Sequence, residues 1–299
     1  MIYFLLAVLF TVALYLITRS FPAWKVDSFQ AVVFNYYACV LTGALLTPRL
    51  ATAIDALQWS SQGTWFTLLL GILFILVFLL IGQSTQKAGV TSASLAGNLS
   101  LVIPVLFGLF IFQNAHKAYT LLNYAGLALT LPALVMGSWS GGPTEAVRKQ
   151  AFIWPILYFL ASGANNTLIN FLTFTYYDAG SNTLFMIIAC LGAVIAGSII
   201  LVIRCVHQGS WPSARSLAAG FLLGIPNFLS LFFLLKALAH YGNSASFVFP
   251  VYNILTMLAS AVAAYWLFNE KLNRVNKIGL LIAVIAVVLI SYQELGWGR

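Results

Sequence analysis

The stretch Gly242–Ser291, GNSASFVFPVYNILTMLASAVAAYWLFNEKLNRVNKIGLLIAVIAVVLIS, decides how the rest of the chain is read. It opens on small residues and runs apolar as far as Phe268. A short polar turn with Glu270 and Lys271 follows, and from Val275 the chain is apolar again. Each apolar run approaches the roughly 20 residues that cross about 30 Å of hydrocarbon. The runs are continuous and long, not alternating, which disfavours a β-barrel.

Working outward from that stretch, the same pattern recurs along the whole chain. The segments are Ile2–Thr18, Ser28–Leu46, Thr64–Gly82, Val90–Phe112, Tyr119–Met136, Phe152–Phe174, Thr183–Ile203, Ser216–Leu235, Ser244–Phe268 and Val275–Tyr292. Ile2–Thr18 has no basic stretch before it and no small-residue cleavage pattern after it, so it reads as a retained first span. Hydrophobic residues make up 62% of the 299 positions and charged ones 7%, against about 25% charged in a soluble domain. So few polar groups cannot cover a water-facing surface, and lipid must solvate much of the chain. The net charge of +8 is spread singly or in pairs between apolar runs, which excludes a nucleic-acid footprint. Most tryptophans fall at or near segment ends, as in interfacial belts. Cys39, Cys190 and Cys205 show no metal-binding spacing and read as small packing residues.

The longest polar break near the middle, Ser138–Gln150, leaves five segments on either side. Four pairs of residues share a separation of 153 across it: Gly71 with Gly224, Gly89 with Gly242, Asn123 with Asn276, and Gly126 with Gly279. A common separation over three consecutive segments points to a duplication. With five spans per half, the second half enters the membrane from the opposite side. The expected fold is therefore an all-α integral membrane protein of ten transmembrane helices, arranged as two inverted five-helix repeats. Residues 1–137 form the first repeat, 138–150 the connecting loop and 151–299 the second. Such repeats place a substrate site near the bilayer midplane.

All six acids, Asp27, Asp55, Glu145, Asp178, Glu270 and Glu294, fall in loops or at segment ends. Coupling through a buried carboxylate is thus disfavoured. The three histidines are scattered, and no P-loop or GxGxxG occurs, so no enzyme, metal or cofactor is expected. The polar residues within the segments are uncharged. Asn98 and Ser100, followed by Pro104, sit in the fourth, and Tyr252 and Asn253, preceded by Pro250, in the ninth. Asn166 and Asn170 lie four apart in the sixth and share a face. An amide in hydrocarbon either bonds a neighbouring helix or lines a wet cavity. Lys236 closes the eighth segment, with Gln83 opposite it at the 153 separation. It reads either as a lysine snorkelling to the interface or as a cation holding a substrate carboxylate. The candidate substrate-binding set is Asn98, Ser100, Tyr252, Asn253, Lys236, Gln83, Asn166 and Asn170.

Gly242–Ser291 resembles the closing segment of the EamA-like branch of the drug/metabolite transporter superfamily. The resemblance lies in the small-residue turn at Gly242–Ser246, Pro250, Glu270-Lys271 and the helix opened by Ile278-Gly279. Gly89–Met136 repeats it more loosely, with Pro104 shifted and His116-Lys117 in place of Glu-Lys. The resemblance implies ten helices in two halves and transport of amino acids, other metabolites or toxic organic compounds.

The expected function is a secondary carrier for a small polar or amphipathic organic solute, working by alternating access. A membrane-embedded enzyme or a non-transporting scaffold is the alternative. The expected partners are a small-molecule substrate and the lipid bilayer, not nucleic acid; a monomer is compatible with this reading. The expected location is a cell membrane, as a multi-pass protein of the bacterial inner membrane type. Orientation is contested. The odd loops hold ten of the fourteen Lys and Arg, which places them in the cytoplasm and both termini outside. The resemblance implies cytosolic termini.

Overall fold

The computed structural model describes residues 2–47, 61–110, 120–139, 145–177, 182–209, 211–240 and 245–293. Asp55, His116, Lys117, Asp178, Gly242, Ser244 and Glu294 lie outside them, as do residues 140–144 of the connecting loop. The described residues form eleven α-helices and no strand. They are α1 (Ile2–Ser20), α2 (Ser28–Leu46), α3 (Gln62–Ala88), α4 (Val90–Leu99), α5 (Val102–Phe110), α6 (Leu121–Gly137), α7 (Glu145–Tyr176), α8 (Asn182–Gln208), α9 (Ala214–His240), α10 (Ala245–Phe268) and α11 (Arg274–Ser291). Among the described residues, eight spans are long and apolar enough to cross a membrane, one of them shared by α4 and α5; α6 is a shorter apolar helix. The chain is an all-α integral membrane protein. Helix dominates because a backbone N–H or C=O in hydrocarbon needs a partner within its own segment.

The fourth segment is not one helix. Pro104 has no N–H to give the Ser100 carbonyl, which accepts from Ile103 N at 3.0 Å instead. The chain therefore turns at Ser100 and Leu101, and the span is built from α4 and α5 in succession. Pro250 leaves α10 unbroken.

The chain divides into two compact units, each drawing on both halves of the sequence. The first comprises Met1–Arg19, Leu80–Ala164 and Ser230–Arg299; the second comprises Ser20–Leu79 and Asn165–Leu229.

In the first unit α6 and α11 pack antiparallel along a seam that is reciprocal at the 153 separation. Asn123 donates from Nδ2 to the carbonyls of Leu289 and Ile290, at 3.3 and 2.8 Å. Asn276 donates to those of Met136, Gly137 and Trp139, at 3.2, 3.0 and 2.9 Å. The Oδ1 of each asparagine accepts from the residue that opens its own helix, Thr120 N and Asn273 N. One amide thus caps its own helix start and the end of its partner, where carbonyls have no intrahelical donor. Two glycines allow the approach: a Cβ on Gly126 would lie 2.8 Å from Ile290 N, and one on Gly279 2.3 Å from Gly137 N.

In the second unit α2 packs on α8 and α9. Asn35 is fully buried and accepts from Asn227 Nδ2 at 3.1 Å. The Tyr36 hydroxyl donates to the Phe74 carbonyl at 2.7 Å. The Cys39 thiol donates to the Gly224 carbonyl at 3.4 Å. Asn35 and Asn227 therefore bond each other across helices, and the buried cysteines pack as small residues. A shallow surface cavity of about 300 Å³, lined by Trp24, Val26, Arg215 and Leu222 among others, contains none of the candidate site residues.

Candidate functional site

The break between α4 and α5 organises the polar interior of the first unit. Irregular backbone within a span persists only where protein or a wet cavity surrounds it. Ser100, at the break, is fully buried. Its hydroxyl donates to the Gly97 carbonyl at 2.6 Å and to Ser162 Oγ on α7 at 3.0 Å. Gly97 lies opposite two phenols. A Cβ there would sit 2.5 Å from the Tyr158 hydroxyl and 2.7 Å from that of Tyr15. Those two hydroxyls are 3.4 Å apart. The hydroxyl of Tyr252 on α10 pairs at 2.6 Å with Oγ1 of Thr11, one turn of α1 from Tyr15. Ser94 Oγ reaches the Thr256 carbonyl at 3.4 Å and so ties α4 to α10. Helices α1, α4, α7 and α10 thereby bring hydroxyls, amides and phenol rings together with no charged side chain among them.

The candidate residues separate on this frame. Ser100 and Tyr252 belong to the cluster. Asn98 is buried, and its amide turns back to Ser94, donating to the carbonyl at 2.7 Å and to Oγ at 3.3 Å. Asn253 is buried and makes no hydrogen bond to a described residue. Gln83 is half-buried near the end of α3, in the same unit. Lys236 sits one turn before the end of α9 and is exposed; its ammonium rests 5.0 Å from the Phe232 ring centroid and 5.9 Å from that of Tyr3. That is cation–π contact. Asn166 and Asn170 belong to the second unit, where Asn166 is half-buried and Asn170 exposed. Sequence reasoning missed Gly97, Tyr15, Tyr158 and Ser162. A tyrosine in an aromatic-rich chain carries no spacing signal of its own.

One end of α4 is held by charge. Gly89 opens the helix at φ +97°, a conformation that a side chain would strain. The Glu270 carboxylate accepts from Val90 N at 2.9 and 3.1 Å, and from Thr91 N at 3.4 Å. Arg19 stands 3.7 Å from the same carboxylate, donates to the Gln86 carbonyl at 2.7 Å and lies over the Phe268 ring. Glu270 supplies the anion that a helix N-terminus favours. The turn after α10 is thereby tied to the helix that carries Asn98 and Ser100.

No family model matches the chain. A protein of Haemophilus influenzae without an assigned function is 21% identical over 89% of both chains. S-adenosylmethionine uptake transporters are also similar. That of Rickettsia bellii is 23% identical over 74% of this chain and 71% of its own, and that of Rickettsia conorii 25% over 73% and 70%. A solved structure, of 15% sequence identity and TM-score 0.54, covers 98% of this chain and 99% of its own, and shows the same fold. The apolar helices and the transporter-named relatives together support a membrane transporter.

Proposed function

We propose that the chain is a secondary carrier that moves a small polar or amphipathic organic solute across the membrane by alternating access, with an S-adenosylmethionine-like sulfonium amino acid as the leading substrate. The observation that carries this reading is the helix break at Ser100–Leu101, surrounded by uncharged hydroxyls and amides from four helices. Broken helices of this kind are where carriers expose backbone groups to substrate. The cluster offers hydroxyls and ring faces to such a solute, and Lys236 is a cation for its carboxylate. Asn253, buried and next to Tyr252 on α10, offers an amide. Asn98 and Gln83, of the same unit, remain in the proposed contact set. The names of the Rickettsia relatives favour a sulfonium amino acid over other metabolites.

The reciprocal seam of α6 and α11 supports the inverted two-half architecture, and with it the resemblance to the drug/metabolite transporter superfamily. The antiparallel packing of those helices is what a half inserted from each side would produce.

Reconstitution in proteoliposomes tests the function. Labelled S-adenosylmethionine should accumulate inside, and a panel of neutral amino acids should compete weakly. Flux no higher than in empty vesicles, for every solute on the panel, would reject transport in favour of the scaffold alternative.

A further inference from the structure

We propose that the rings of Tyr15, Tyr158 and Tyr252 form a recognition site for an onium group, the sulfonium of the substrate; this rests on the carrier reading above. Among the described residues, a cation brought to the Tyr15, Tyr158 and Tyr252 hydroxyls meets no carboxylate. Glu270 is the acid tied to α4, and its oxygens are engaged with the helix N-terminus and Arg19. A primary ammonium in such surroundings would leave N–H donors short of acceptors. A sulfonium has no N–H to satisfy and spreads its charge over its methyl and methylene groups, so π faces suit it. The unit already holds its cations this way: Lys236 lies on Phe232 and Tyr3, and Arg19 on Phe268.

The rings are tethered before any ligand arrives. Tyr252 is pinned through its hydroxyl to Thr11, and Tyr15 and Tyr158 meet hydroxyl to hydroxyl over Gly97. Thr256, one turn from Tyr252 on α10, is fully buried.

The test compares S-adenosylmethionine with S-adenosylhomocysteine, which lacks only the methyl that makes the sulfur cationic. Binding to the purified full chain is measured by calorimetry, for wild type and for Tyr158→Phe, Tyr158→Leu, Tyr252→Phe and Tyr252→Leu. Wild type should favour the sulfonium by about tenfold or more, the range that cation–π contact supplies. The Phe variants keep a ring and should keep most of that preference. The Leu variants should lose it while still binding the homocysteine form, which shows that they are folded. Equal binding of both ligands by wild type, or the same ratio in Leu and Phe variants, overturns the inference and leaves the carrier reading standing. A third probe, trimethylsulfonium, covers the case where neither nucleoside binds. A thermal shift retained in the Phe variants and lost in the Leu variants then upholds the onium site while the substrate reading falls. No shift in wild type rejects both.

Discussion

Asn253 is buried on α10, next to Tyr252. Asn98 bonds its own helix, and Asn123 and Asn276 cap two helices each. Asn253 makes no bond to a described residue although it is buried. Asn253→Ala should leave the thermal midpoint nearly unchanged and lower flux about tenfold, the worth of one hydrogen bond to substrate. Flux and unfolding measured on the same preparation check it; an unfolding midpoint that drops with the flux would make Asn253 a packing residue. Single residues were unevenly legible in the sequence. Ser100 and Tyr252 were visible because hydroxyls stand out within an apolar run. Tyr15 and Tyr158 were not, since they meet across 143 residues of chain and nothing local marks them. The role of Glu270 was hidden for the same reason: its partners, Val90 and Arg19, lie far from it in the chain.

At the scale of the element, Pro104 separates stability from activity. Pro104→Ala supplies an i+4 donor to the Ser100 carbonyl in place of the tighter bond from Ile103 N, and lets α4 run on into α5. The variant should unfold at higher temperature, by an amount on the order of one hydrogen bond, about 1 kcal/mol, and should turn over more slowly. Faster turnover in the variant would mean that the break serves no function. The seam gives a second test. Because the amides of Asn123 and Asn276 play equivalent parts, Asn123→Ala and Asn276→Ala should destabilise by similar amounts, about 1–2 kcal/mol each. A denaturant titration in detergent compares them, and a cost confined to one of the two would break the equivalence. The spacing of 153 made this seam partly legible: it singled out both asparagines and both glycines. It could not show that the pairs face each other, because separation along a chain carries no direction in space.

For the whole molecule, the arrangement of elements was largely open to reading and the grouping of them was not. Apolar length alone marked the helices, because the bilayer sets that length. The compact units could not be anticipated, since each gathers segments from both halves of the sequence. Orientation remains a physical question that charge can answer. Ten of fourteen basic residues lie in the odd loops, and in short loops that bias governs insertion. A fluorescent protein that matures only in the cytoplasm, fused after Arg299, should stay dark. Bright cells would place the termini inside, as the family resemblance implies.

The seam between α6 and α11 also imposes a schedule on biosynthesis. Asn123 leaves the ribosome 153 residues ahead of Asn276. At about 5–20 residues per second, roughly 8–30 s pass before the second helix exists. Throughout that interval the Asn123 amide has no Leu289 or Ile290 carbonyl to meet, and the Gly126 face has no helix against it. The half-made protein is thus a polar, poorly packed guest in the bilayer, dependent on insertion factors to keep it from the degradation machinery until its last helix arrives.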